Sequence, residues 1–150
     1  MSPPIKNDTL GDWFLPEDVR TQLTTTFKDL KAPVVLEVFT HPGTNDEFSE
    51  YTIKFCTDLA RLTDLITVTK HETSSARATE LGITASPTLC INPDEYHIRF
   101  LGAPLGEEGK SFITTLMLVS LGRSGLSDTS GPILDQLNEE RMAQVFVSPT

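Results

Sequence analysis

The chain has 150 residues, 38% hydrophobic and 22% charged, enough for one globular domain with a real core, and no run approaches the ~18–20 consecutive apolar residues of a membrane span. Acidic residues outnumber basic ones 21 to 12, and the resulting net charge of −9 argues against a phosphate-backbone partner, so no nucleic acid and no membrane is expected. Only two cysteines occur, and MSPPIKNDTLGDWF has no apolar run of a secretory leader, so reduced thiols and a cytoplasmic location are expected.

Residues 1–15 read as a flexible arm. Pro16 at a first helical position, followed by Glu17 and Asp18, opens a helix favoured by its macrodipole. Val19, Leu23, Phe27 and Leu30 form one apolar stripe, so that helix is expected to run to about Lys31, where Ala32-Pro33 stops it. Val34 to Thr40 (VVLEVFT) is a strand, apolar on both faces except at Glu37, and therefore central. HPGTNDEF then leads into a second helix, with Asn45 or Asp46 as its cap and Phe48, Tyr51, Ile53, Phe55, Leu59 and Leu62 along it.

Thr63-Asp64 breaks that helix, and Ile66 to Lys70 is a second strand. Ser74 to Leu81 is a short helix closed by Gly82. TLCIN is a third strand, Asn92-Pro93-Asp94-Glu95 a turn, and His97 to Leu101 a fourth strand that makes a hairpin with the third. A helix from about Glu107 to Leu121 follows, then the linker GRSGLSDTSG, a helix from about Pro132 to Arg141, and a terminal strand at Gln144 to Val147 with Ser148-Pro149-Thr150 as its turn. The order β-α-β-α-β-β-α implies a mixed four-stranded sheet with helices on both faces. That is a thioredoxin-like (glutaredoxin-like) three-layer α/β/α sandwich with an extra N-terminal helix. The expected division is an arm at 1–15, the domain at 16–122, and a linker, helix and strand at 123–150.

Three segments carry a family resemblance. Ala85-Ser86-Pro87-Thr88 sits where thioredoxin-like proteins place a cis-proline before the third strand. Ile98-Arg99-Phe100-Leu101-Gly102-Ala103-Pro104-Leu105-Gly106-Glu107-Glu108 resembles the glycine-proline segment in the first fold of two tandem groups. These are the glutaredoxin-like protein disulfide oxidoreductases and the N-terminal domain of the alkyl hydroperoxide reductase flavoprotein subunit. The linker, ILDQLNEE and QVFVSPT resemble the connection into the second fold of such tandems, where Cys-Pro-x-Cys follows the strand. The resemblance implies a module of a thiol-disulfide oxidoreductase system concerned with redox homeostasis. It also implies that the chain is the first half of a two-fold protein, with Pro87 as the cis-proline and Glu108 as an acid assisting proton transfer at the second fold.

In active members a Cys-x-x-Cys pair opens the helix after the first strand, where a helix N-terminus stabilises the thiolate. Here Thr44, Asn45, Asp46, Glu47, Phe48 and Ser49 occupy those positions without sulfur. The leading expectation is therefore a non-catalytic scaffold or docking domain. The alternatives are a lone-cysteine redox enzyme using Cys56 or Cys90, and an adaptor whose former active-site face binds a protein. Cys56 falls mid-helix and Cys90 within an apolar strand, so both read as structural free thiols. His41 and His71 end parallel strands near Asp46 and Glu47, a weak metal or acid-base pattern whose plainer reading is solvated loop residues; His97 stands apart. No metal and no cofactor is expected. The expected partner is a protein or a second thioredoxin fold, with a possible dimer through residues 143–148.

Overall fold

A computed structural model of the chain describes residues 11–148. Its elements run α1 (Glu17–Phe27), β1 (Val34–Thr40), α2 (Asp46–Leu62), β2 (Ile66–Glu72), α3 (Ala76–Leu81), β3 (Thr88–Ile91), β4 (Ile98–Leu101), α4 (Glu107–Leu121) and α5 (Ser130–Leu134). The sheet order is β2-β1-β3-β4, with β1 and β2 parallel and the β1–β3 and β3–β4 pairs antiparallel. The parallel crossover and the hairpin are those of the sequence reading. No described helix is long and apolar enough to cross a membrane.

Strand alternation separates two cores. Leu36, Val38, Ile66, Val68, Leu89 and Ile91 point to one face, where Phe55, Cys56 and Leu59 of α2 and Phe112 and Leu116 of α4 close over them. Phe112 is the centre of this layer, edge-on to Phe55 at 5.7 Å and to Phe100 at 5.2 Å between ring centroids. Burying an aromatic of this size is worth roughly 1.5–3 kcal/mol, with the edge contacts adding to it. The opposite face has a smaller core, in which Phe39 and Cys90 pack with Ala78 of α3 and with Ile83. Glu37 also points to this second face and is the one carboxylate in the central strand.

Glu37 is buried because it is fully paired. Arg77 of α3 meets it in a fork, Nε donating to Oε2 at 2.9 Å and Nη2 to Oε1 at 2.8 Å. His71 Nε2 lies 3.2 Å from Oε2, and the His71 ring stacks on Phe39 at 5.0 Å. Arg77 also reaches Asp94 at 2.8 Å and Glu80 at 3.0 Å. These partners hold the Arg77 guanidinium protonated beyond its usual range, the Glu37 hydrogen bond being the largest cause.

At the other end of the sheet Ser120 clasps the α1–β1 junction to the end of α4. Its hydroxyl accepts from Lys31 N (3.0 Å) and Ala32 N (3.1 Å) and donates to the Ala32 carbonyl at 2.7 Å.

Several boundaries differ from the sequence reading. Pro16 is the cap before α1 rather than its first residue, and α1 ends at Phe27 rather than about Lys31. Beyond Phe27 the chain tightens: Lys28, Asp29 and Leu30 N–H groups bond three residues back, to Thr25, Thr26 and Phe27, which still brings Leu30 into the core. The run Thr24-Thr25-Thr26 is poor helix material, so the early end has a local cause.

The arm expected at 1–15 is not loose where it is described, and residues 1–10 lie outside the described residues. Asp58 of α2, buried, accepts from Phe14 N at 2.8 Å and Leu15 N at 2.7 Å. Trp13 lies under Arg61 (3.7 Å from guanidinium to ring centroid) and near Arg20 at 4.6 Å, and Phe14 meets Tyr51 edge-on at 5.1 Å. Residues 13–15 are thus a strap fastened to α2. Local spacing could not show this, because the partner stands 43 to 44 residues away.

The end of the chain differs most. The helix expected at 132–141 forms only over Ser130–Leu134, and Gln144 to Val147 pairs with no strand. Val145 and Phe146 are 85% and 91% exposed. Both elements are amphipathic or apolar on paper, but an isolated short helix or strand is marginal in water without a surface to cover it. Pro149 and Thr150 of the expected terminal turn lie outside the described residues.

Candidate functional site

The C-terminal ends of parallel strands are where an open α/β sheet presents its chemistry. Here that end is made by the loop after β1, the loop before β3 and the turn into α4. Pairing of Phe39 with Thr88 and of Thr88 with Leu101 brings all three together.

The positions from Thr44 to Ser49 form a loop and the first turn of α2, tied down by hydrogen bonds. Gly43 adopts a left-handed conformation (φ +82°), as does Asn45 (φ +53°), which is uncommon for a residue with a side chain. Asp46 accepts the Gly43 N–H at 2.9 and 3.1 Å through its two oxygens. Asn45 stands at the cap position of α2, yet neither it nor Asp46 caps the helix through its side chain. Asn45 Nδ2 donates instead to the Ser86 carbonyl at 2.8 Å. The expected caps therefore serve the loop rather than the helix.

Ser86 is the hub. Its hydroxyl accepts from His41 N at 2.8 Å, donates to the Thr44 carbonyl at 3.3 Å and lies 3.3 Å from Ser49 Oγ. With the Ser86 proton committed to Thr44, Ser49 is the donor between the two hydroxyls. The Ser86–Pro87 peptide is cis, and the Pro87 carbonyl accepts from Gly102 N at 2.9 Å. The hydrogen-bonding side chains of this cluster carry oxygen and nitrogen and no sulfur. Neither hydroxyl faces a base: the nearest imidazole, His41, contacts Thr73 Oγ1 through Nδ1 at 3.5 Å. Ser86 has no expected role of its own in the proline segment; a hydroxyl immediately before the proline is the signal in the sequence that marks it.

The two thiols are elsewhere. Cys56 lies wholly inside the α2–α4 core and Cys90 in the smaller core on the other face, and they are not bonded to each other. Burial pushes the Cys56 thiol far up, and it pushes Cys90 up to about 11 although Arg99 and Arg77 pull the other way. A thiolate is the nucleophile in disulfide exchange, so burial disfavours that chemistry at both. His71 is engaged with Glu37 and Phe39, and His41 with Thr73. The structure does not assemble them with Asp46 and Glu47: among the described residues no group of three His, Cys, Asp or Glu side chains could hold a metal ion.

Glu108 stands in the first turn of α4, beside Glu107. Partial burial raises its carboxyl above the ordinary glutamate range. A raised folded-state value means that the fold holds the proton more tightly than the unfolded chain does. Glu108 therefore takes stability away as pH rises through that value, and takes none well below it. Glu108→Gln should accordingly be more stable than the native chain at pH 7 and lose that advantage in acid, read from urea midpoints at both pH values. An equal advantage at both would show that burial of the charge is not what the substitution relieves.

Solved structures share this fold. The chain is similar to a protein disulfide oxidoreductase from Aeropyrum pernix K1, with 24% identity, a TM-score of 0.71 and coverage of 85% of this chain and 56% of that one. It is also similar to the alkyl hydroperoxide reductase component AhpF of Enterococcus faecalis, at 28% identity and a TM-score of 0.65 over 79% of this chain and 58% of that one. The N-terminal domain of AhpF from the same organism matches at 27% identity and a TM-score of 0.65, covering 77% of this chain and 57% of that one. No protein-family model and no curated protein matches the chain. The chain thus spans a little over half the length of each of these structures. They bear out the thioredoxin-like fold and the resemblance to protein disulfide oxidoreductases and the N-terminal domain of AhpF.

Proposed function

We propose that this chain is a thioredoxin-fold module of a thiol-disulfide oxidoreductase system that does not itself exchange disulfides. It serves instead as a scaffold or docking domain for a second thioredoxin-like fold. One observation carries this reading: the N-terminus of α2 holds Asn45 and Asp46, the first hydrogen-bonded to the Ser86 carbonyl and the second to Gly43 of its own loop, where active members hold a thiolate. A helix N-terminus can stabilise either anion, but a carboxylate cannot form a mixed disulfide. The raised Glu108 carboxyl fits the role of a proton donor toward a partner's disulfide, since a group titrating nearer neutrality exchanges protons more readily there. Two unpaired buried thiols suit a cytoplasmic location.

A second reading is favoured by Phe48, which is 44% exposed in the first turn of α2. An exposed aromatic on a rigid hydrogen-bonded face suits an adaptor that binds a protein there. The lone-cysteine alternative draws no support from the buried thiols. An insulin-reduction assay with dithiothreitol should give the uncatalysed rate for the native chain. Turnover well above it, abolished by Cys56→Ser or Cys90→Ser, would overturn the non-catalytic reading.

A further inference from the structure

The two edges of the sheet are unlike. The β2 edge carries exposed Lys70 and Glu72, the kind of charge that discourages strand addition. The β4 edge carries Leu101, 63% exposed, next to the turn at Gly102.

The phase of the β3–β4 ladder follows from the Gly102 N to Pro87 O bond. Because Pro87 and Gly102 form a hydrogen-bonded pair, so do Leu89 with Phe100 and Ile91 with Ile98, while Arg99 and Leu101 form the alternate, non-bonded pairs. The N–H and C=O groups of Arg99 and Leu101 therefore point away from β3. Among the described residues none of these four groups takes another backbone partner, and the Arg99 guanidinium turns aside to the Leu81 carbonyl. The β4 edge is thus an open template with an apolar side chain at its tip.

The same chain carries an unpaired strand-forming segment, Gln144 to Ser148. Its Val145, Phe146 and Val147 are 85%, 91% and 57% exposed, and the long connection from Arg123 gives it reach beyond its own domain. We propose that residues 144–148 of one copy add as a fifth strand to the β4 edge of a second copy, and reciprocally, so that Phe146 covers Leu101. One five-residue strand on an edge buries too little to hold two proteins together. Reciprocal exchange doubles the buried surface and closes a two-fold dimer with no free end for further growth. Two chains of net charge −9 repel, so the association is apolar and strengthens with salt. The proposal rests on residues 143–148 being a pairing strand. It is independent of the redox reading, which insulin turnover would sink without moving the dimer.

Sedimentation equilibrium of the full chain at low and high salt tests this. The native chain should dimerise, more tightly at high salt, and deletion of residues 143–150 should leave a folded monomer. Phe146→Asp and Leu101→Lys alter exposed residues, so thermal melts should stay native while each weakens the dimer at least about tenfold. Mixing the two variants restores one intact strand–edge pair, so they should bind each other more tightly than either binds itself. A monomer at every concentration would overturn the proposal, as would native-strength dimers of either variant or no gain on mixing. A tail that instead joins a second thioredoxin-like fold would appear as the first of these.

Discussion

Asp58→Ala should destabilise the domain by about 3 kcal/mol and lower its melting temperature by about 10 °C. The Asp58 carboxylate is buried and accepts two backbone N–H groups of the strap, at 2.8 and 2.7 Å, and its other oxygen lies 3.3 Å from Arg61. Alanine removes the acceptor and leaves both donors without a partner, which costs more than the bonds alone contribute. It also frees Arg61 from its orienting charge and loosens its stacking over Trp13. Asp58→Asn keeps one acceptor oxygen and should recover about half of the loss. Urea unfolding gives the energies. Trp13 is the only tryptophan in the chain, so its fluorescence reports whether the strap has lifted before the fold is lost. A loss below about 0.5 kcal/mol would show that the strap is not held by this carboxylate.

Arg77→Met should cost a similar amount, about 3 kcal/mol, through a different mechanism. It strands the Glu37 carboxylate in the central strand with only His71 for company. Desolvating a charge is tolerable when a guanidinium meets both oxygens and becomes expensive once it is gone. The double variant Glu37→Met/Arg77→Met should regain most of the loss, because a buried ion pair exchanged for apolar residues of similar volume is often neutral or stabilising. If the double variant were as unstable as the sum of the singles, the pair would not be acting as a pair, and a double-mutant cycle measures that coupling.

The regular elements were legible because each has a local cause. Gly82 ends α3 in a left-handed turn, VVLEVFT admits a central strand, and α4 runs over Glu107–Leu121 as expected. The absence of sulfur at 44–49 was equally plain. What the sequence hid depends on groups far apart along the chain. Glu37 with Arg77, Asp58 with the strap, and the Ser86 hydroxyl with His41 and Thr44 are separated by about 40 residues or more. The elements expected at 132–141 and 144–147 fell short for the opposite reason. There the pattern was sound, but a pattern states only which face would be buried, and burial needs a surface that the described residues of a single copy do not supply.

Ser120 has a consequence for the order in which this fold can be completed during synthesis. The α1–β1 junction emerges from the ribosome early, yet the hydroxyl that satisfies Lys31 N and Ala32 N sits 88 to 89 residues further along. Until the end of α4 is outside the exit tunnel, that junction must rely on water for its hydrogen bonds. β1 is likewise without β3 until the later hairpin has been made. The late segment thus completes the hydrogen bonding of the early one, and the fold closes only when both are free of the ribosome.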